Sequence, residues 1–507
     1  MQWLSDFNLW DFNCPMVDRI SRRFFLGGIG ASLIPATGLA QAPLVSLRPQ
    51  ARGPQLTGAE RLVRAAGLKG DVVFAVADVG TGAQLEAFQG EMGLPPASVG
   101  KALTALYALD VLGPDHRFET SLIADGPIEN GILQGDLILA GGGDPLLDTD
   151  NLASMAANLR EAGITEVRGA FKVYDGALPF VFSIDPGQPD HLGYSPAISG
   201  ISLNFNRVHF EWKRDGTNYD VTMDARTAKY RPDVDMASMR VEGRSLPIYT
   251  YQPSARQDRW TVAKGALGNG GARWLPVRKP ALYAGDVFRT LARANGIVLD
   301  RVEITREAPQ GTTLVVHQSD RLDSILRGML KYSTNLTAEM VGMAATKARG
   351  VMPQNLAESA AEMNRWALEV YGVDQIAMVD HSGLGDASRM APEALVAAFV
   401  QARKTGALRP LLKPFSLTDK NGGPVKDHPI KVDAKTGTLN FVSGLGGFLT
   451  TADGSELAFA IFTADVDHRA TIPRALRERP EGARAWNRRS RKLQRALIER
   501  WGALYGS

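Results

Sequence analysis

The sequence predicts a mixed α/β (α+β) fold with large inserted β-rich domains, on three observations. An almost unbroken apolar run, Ala102 to Leu112, follows Pro95-Pro96-Ala97-Ser98. Proline then serine ahead of such a run marks a helix start, and apolar residues on every side mark a buried helix. Near the other end, Ile430-Lys431-Val432-Asp433-Ala434 continues to Leu439 and Phe441 and meets Gly444, Gly446 and Gly447, the pattern of a strand and hairpin. Between these two lies a long interval of short strand-like pieces with patterns of their own.

Taken in order, residues 1–42 read as an export signal. Ser21-Arg22-Arg23-Phe24-Phe25-Leu26 has the form of a twin-arginine signal, a moderately apolar stretch runs from Phe25 to Leu39, and Ala40-Gln41-Ala42 supplies a small-residue cleavage pattern. A mature chain beginning near Ala42 or Pro43 and located in the periplasm is expected; Met16 is an alternative start to Met1. The apolar stretch is short for a membrane span. About 465 residues then remain, enough for two to four domains.

Residues 43–120 and 316–507 are expected to be two parts of one domain, with accessory structure inserted over 121–315. The insertion carries Leu137-Ile138-Leu139-Ala140 ending in Gly141-Gly142-Gly143-Asp144-Pro145, a strand closing in a turn. Val208-His209-Phe210-Glu211-Trp212 alternates as a half-buried strand does, and Ile201–Phe205 also reads as a strand. Further strands are expected at 219–223, 239–241, 260–263, 302–304 and 314–316. A helix over Leu322–Leu330 leads back, and Leu493, Leu497, Trp501 and Leu504 interleave with Arg488, Arg491, Lys492 and Arg495 as an amphipathic terminal helix. Its expected role is core docking with a solvated basic face, ahead of membrane-surface association.

Composition excludes several functions. The 57 Lys and Arg against 54 Asp and Glu leave a formal charge of +3, too little to imply nucleic acid. The single cysteine, Cys14, lies before the expected cleavage, which removes disulfide and thiol chemistry from the mature chain. The seven histidines show no ligand spacing, so neither metal nor other cofactor is expected.

Three polar clusters carry the chemistry: Ser98-Val99-Gly100-Lys101, Ser333-Thr334-Asn335 and Lys435-Thr436-Gly437-Thr438. Ser98 is a candidate nucleophile at a helix N-terminus, where the dipole favours a developing alkoxide. Lys101, three residues on, shares its helix face and can act as base once its pKa is depressed. Ser333 offers a relay hydroxyl, Asn335 an orienting amide, and Lys435 a fixed positive charge. Gly437 lets a bound chain approach the backbone. Ser98 is the only serine followed three residues later by lysine. The decoys Ser202-Leu203-Asn204 and Lys404-Thr405-Gly406 differ in context, the latter reading as a helix end.

This order resembles that of the penicillin-recognising acyl-serine transferases. The long first interval, with Gly142-Gly143-Asp144-Pro145-Leu146, Tyr194-Ser195-Pro196 and Asp380-His381-Ser382-Gly383-Leu384, resembles class C low-molecular-mass penicillin-binding proteins. These are D-alanyl-D-alanine carboxypeptidase/endopeptidases of the S13 peptidase type. The resemblance implies a transpeptidase-like domain, an antiparallel sheet flanked by helices. It implies an acyl-enzyme on Ser98, peptidoglycan peptides as substrates and β-lactams as covalent inhibitors. It also implies carboxylate anchoring by Lys435, Thr436 and Thr438, an oxyanion hole from the N–H groups of Ser98 and Thr438, and a pocket lined by Leu439 and Asn440. Asp190 and Tyr194 become candidates for contacting the substrate's diamino-acid side chain. The chain departs from the family pattern at Thr334 and at Gly385-Asp386, where relatives often place Ser-Arg, with Arg389 further on. Two alternatives stay open: a serine β-lactamase, although Tyr332 sits one place too early for Tyr-x-Asn, and an inactive cell-wall-binding protein of the same fold.

Overall fold

The computed structural model describes residues 58–418, 423 and 425–506. The expected export signal, its cleavage pattern and Cys14 lie outside the described residues.

Six antiparallel strands form the sheet that positions the site, in the order Lys413–Pro414, Lys431–Leu439, Val442–Thr450, Glu456–Ala464, Asp71–Asp78, Gln84–Phe88. Because side chains alternate across a strand, Asp71–Asp78 serves two cores. Val73, Ala75 and Ala77 join Ala460 and Phe462 on one face, beneath the helices Gly100–Leu112 and Pro392–Arg403. Val72, Phe74 and Val76 join Phe459 and Ile461 on the other, where the terminal helix Ala483–Leu504 lays down Leu493, Leu497 and Trp501. That helix keeps Arg488, Arg491 and Lys492 exposed, so it docks as its spacing predicts.

The helix after Ser98 is as apolar as the sequence implies. Ser98 itself lies in a tight turn, Ala97–Val99, and the α-helix Gly100–Leu112 is buried from Gly100 through Ala108. The strand and hairpin around Lys435 also form as expected, with Gly437 opposite Gly444.

The chain leaves this layer near Phe118 and returns near Ser319, and its two crossings are tied together. Ser319 N–H donates to the Phe118 carbonyl at 2.9 Å, and Leu322 N–H to that of His116 at 2.8 Å. Between them a five-stranded sheet runs Glu303–Thr305, Phe171–Tyr174, Asp136–Gly141, Glu119–Asp125, Thr312–Gln318. Helices Thr149–Glu161 and Pro280–Ala294 pack into its core. Two three-stranded sheets follow, one centred on Arg207–Asp215 and one on Asp258–Ala263. The boundaries drawn at 121 and 315 therefore fall inside strands.

Two local expectations need correction. Residues 201–205 are not a strand: Asn204, Phe205 and Asn206 all take left-handed backbone, and Asn206 Oδ1 closes the turn on Leu203 N–H at 3.0 Å. Asparagine tolerates that conformation and stabilises it locally. Val208 to Trp212 is a strand without the alternation, because Val208, His209 and Phe210 are all buried in the middle of their sheet.

Candidate active site

The three clusters, separated by hundreds of residues in sequence, meet at one point. Lys101 is completely buried, and its Nζ donates to Ser98 Oγ at 2.9 Å, to Asn335 Oδ1 at 2.7 Å and to the Ser382 carbonyl at 2.7 Å. All three partners accept, so the amine is oriented from three sides. Burial pushes its pKa down to about 7, against the opposing pull of Glu339 and then Asp380.

Asn335 opens the helix Asn335–Ala348, and its other end is fixed as well: Nδ2 donates to the Tyr194 carbonyl at 2.9 Å. Ser333 sits in left-handed backbone at the end of the preceding helix, Leu322–Tyr332. Its Oγ accepts from Lys435 Nζ at 3.0 Å, so the Ser333 proton is free to be donated elsewhere. Lys435 also donates to the Thr436 carbonyl at 2.6 Å.

Lys435 lies in surroundings that disfavour its charge. It is 1% exposed, and burial pushes its pKa far down, helped by the neighbouring charges of Lys101 and Lys413. Gly437 differs from expectation in its reason. A Cβ there would lie 2.7 Å from the Pro96 carbonyl oxygen and 3.0 Å from Ser98 N. The glycine is required first by the nucleophile turn packed on the strand. The outer edge of Lys431–Leu439 pairs with Lys413–Pro414 only at Asp433 and Ala434. Among the described residues, Lys435 to Leu439 has no strand on that edge, and Thr438 is exposed there.

Leu439 packs near Tyr194, and the turn at Leu439–Asn440 is held from outside. Asn487 Nδ2 donates to the Leu439 carbonyl at 3.0 Å and Arg469 to that of Asn440 at 3.0 Å. Arg469 Nε also reaches Asp386 at 2.9 Å. Asp190 does not present a free carboxylate, because Arg474 pairs with it at 2.7 Å. Tyr194 contributes its backbone to the site, while its hydroxyl donates to Gln188 at 3.0 Å. Arg389 stays in its own loop, donating to the carbonyls of Asp386 and Ser388.

Sequence reasoning missed four contributors. Buried Arg278 donates to the carbonyls of Phe182, Asp190 and Ser195 and so shapes the loop that offers Tyr194. The Ser382 and Tyr194 carbonyls act through backbone, which leaves no side-chain signature. Glu339 left one: a charge in an apolar helix, four residues after Asn335 and hence on its face. Among the described residues no cluster of His, Cys, Asp and Glu has the arrangement of a metal site. A partly exposed serine, a buried amine of lowered basicity and an open strand edge together suit nucleophilic acyl transfer to a peptide-like substrate.

Comparison with known proteins gives the same picture. The sequence model of the D-Ala-D-Ala carboxypeptidase 3 (S13) family matches residues 59–479. The chain is 28% identical over 473 residues to the D-alanyl-D-alanine carboxypeptidase of Actinomadura sp. strain R39, covering 85% of this chain and 84% of that one. It is 24% identical over 395 residues to D-alanyl-D-alanine carboxypeptidase DacB of Haemophilus influenzae, covering 74% and 81%. The fold is similar to the crystal structure of penicillin binding protein 4 (dacB) from Haemophilus influenzae. The TM-score is 0.72 at 20% identity, with 87% of this chain and 99% of that chain covered. A second structure of that protein is complexed with a β-lactam.

Proposed function

Because this chain belongs to the D-Ala-D-Ala carboxypeptidase 3 (S13) family, we propose that Ser98 is its acylated nucleophile and Lys101 the base that activates it. The enzyme is a serine-type D-Ala-D-Ala carboxypeptidase, a hydrolase. The observation that carries the residue assignment is the 2.9 Å bond from a completely buried lysine to a serine hydroxyl, with no histidine between them.

Ser98 Oγ attacks the carbonyl carbon between two D-alanines and its proton passes to Lys101 Nζ. The backbone N–H groups of Ser98 and Thr438 receive the oxyanion, each worth roughly 3–4 kcal/mol. Ser333, whose oxygen is already held by Lys435, gives its hydroxyl proton to the leaving amine and is reprotonated by the Lys101 ammonium, which returns to the neutral amine. The C–N bond breaks, terminal D-alanine departs, and water hydrolyses the ester on Ser98. Lys435, Thr436 and Thr438 hold the substrate's terminal carboxylate, and that anion restores the ammonium of Lys435 that burial disfavours. Leu439, Asn440 and Tyr194 line the pocket along the open edge, which also admits a cross-linked peptide for endopeptidase action. A β-lactam enters by the same attack and stays as an ester. The motif Ser21-Arg22-Arg23 supports export by the twin-arginine route, with the periplasm as the place of work.

The test is peptide mass mapping after exposure to benzylpenicillin, beside D-alanine release from a D-Ala-D-Ala peptide. The expected adduct lies on the peptide containing Ser98, and Ser98→Ala removes both signals. An adduct that persists in Ser98→Ala, or wild-type protein with neither signal, refutes the assignment.

A further inference from the structure

The mechanism leaves two buried acids without a task. Glu339 is 0% exposed and Asp380 2%. Carboxylates are rarely buried without partners, because the charged form loses several kcal/mol of solvation. The partners here are backbone N–H groups of a single loop. Glu339 accepts from His381 N–H at 2.8 Å and Ser382 N–H at 2.9 Å, one on each oxygen. Asp380 accepts from Gly383 and Gly385, both at 2.6 Å, again one on each oxygen. Four N–H groups within five residues are thus drawn onto two carboxylates.

This loop carries the carbonyl that grips the base. Ser382 receives a carboxylate on its N–H and presents its C=O to Lys101 Nζ. Gly383, in left-handed backbone, presses on Ala97, the residue before the nucleophile. Glu339 and Asn335 share one face of their helix, so that face reaches Lys101 twice: directly through the amide, and through the loop by way of the acid.

We propose that Glu339 and Asp380 are positioning residues for Lys101: they fold residues 380–385 so that the Ser382 carbonyl holds the amine against Ser98, and their charge stabilises the ammonium formed as Ser98 attacks. In that step the Ser98 O–H bond breaks, its oxygen bonds the carbonyl carbon, and the proton joins the Lys101 lone pair. The site gains one positive charge at Nζ, beside two acids rather than beside none. The inference rests on the assignment of Ser98 and Lys101 above.

The charged groups around Lys101 give the direction of the effect. Glu339 from the helix and then Asp380 from the loop oppose the downward push of burial on Lys101; burial raises both carboxyls in turn, Glu339 to about 8, and Lys101 pulls each back toward its charged form, while Lys435 stands on the neighbouring strand. His381, the remaining titratable neighbour in the loop, is held neutral by burial, its pKa down at about 3. Removing the Glu339 charge therefore lowers the basicity of Lys101 further.

The experiment measures the pH profile of acylation by benzylpenicillin in wild type and Glu339→Gln. The acid limb of the variant is expected about one pH unit or more below that of wild type, with a plateau roughly tenfold lower. A merely structural role lowers the plateau without moving the limb, and a folded variant with an unmoved limb overturns the inference. Asp380→Asn is expected to move the limb the same way by less. If neither variant folds, wild-type enzyme decides. With ¹³C labels, the Glu339 carboxyl and the Lys101 ε-carbon must titrate as a coupled pair; a Lys101 that titrates alone in one step overturns the inference. Wild type that takes up no penicillin fails the functional assignment instead, so the two failures are distinct.

Discussion

Gly383→Ala tests whether the 380–385 loop sets the position of the nucleophile. At Gly383, φ is +72°, and an added Cβ would lie 1.9 Å from the Ala97 carbonyl oxygen and 2.6 Å from its carbonyl carbon. A carbon and a carbonyl oxygen come no closer than about 3.3 Å in ordinary contacts. Roughly 1.4 Å of separation must therefore open between the loop and Ala97. Both sides are backbone, so no flexible side chain can absorb it. Ala97 already holds left-handed backbone, at φ +46°, and precedes Ser98 directly. Left-handed alanine costs about 1–2 kcal/mol and overpacking a further ~1–3 kcal/mol, so a stability loss of roughly 2–5 kcal/mol is expected.

The catalytic effect exceeds what that loss implies. A displacement near 1 Å at a reacting group costs on the order of 10²-fold in rate. Stopped-flow acylation by a fluorescent penicillin, run well below the melting temperature, is expected to show roughly that fall. Gly350→Ala is the internal control. Gly350 has φ +83° with nothing within 4 Å of an added Cβ, so it takes the backbone strain alone, about 1–2 kcal/mol, and keeps wild-type acylation. A folded Gly383→Ala enzyme that acylates within about threefold of wild type would refute the mechanical link from loop to nucleophile.

Two further outcomes follow from the same structure. The base proposed here, Lys101, can act only when neutral, and burial lowers its pKa to about 7. The neutral form therefore exists above that value, and penicillin acylation should fall about tenfold per pH unit below it; a rate that is flat from pH 7 to pH 5 contradicts the assignment of the base. Trp501→Ala removes a fully buried side chain set against Phe74 and Phe459 on the face of the sheet away from the site. It should cost about 3–5 kcal/mol, lowering the calorimetric melting temperature by several degrees with penicillin acylation retained below it, and an unchanged melting temperature would count against the packing.

What was legible in the sequence was what local physics writes there. Ser98 and Lys101 lie within one helical turn, so helix geometry alone brings them together. Lys435 lies in a hairpin whose glycines are visible in sequence. The meeting of these clusters was legible only through their order, since nothing local links Lys101 to Asn335. The grip of the Ser382 carbonyl on Lys101 was illegible because every residue has a carbonyl. Gly437 was read as letting a bound chain approach the backbone, whereas the group packed against it is the enzyme's own Pro96–Ser98 turn. The strand expected at 201–205 failed because Asn204 and Asn206 supply a turn that hydrophobic pattern cannot report.

The two lysines of the site are both buried, yet their surroundings divide the chemistry between them. Lys101 has two acids within electrostatic reach and three neutral acceptors at its nitrogen. Lys435 has a hydroxyl, a carbonyl, and like charges at Lys101 and Lys413. The charge at Lys101 disfavours an ammonium at Lys435. A carboxylate arriving at Lys435 changes that balance, because it stabilises the ammonium there. On this logic the burial of both amines, costly to the fold, gives each a separate partner: acids for Lys101 and an arriving anion for Lys435. The acids at Glu339 and Asp380 oppose the loss of basicity that burial imposes on Lys101.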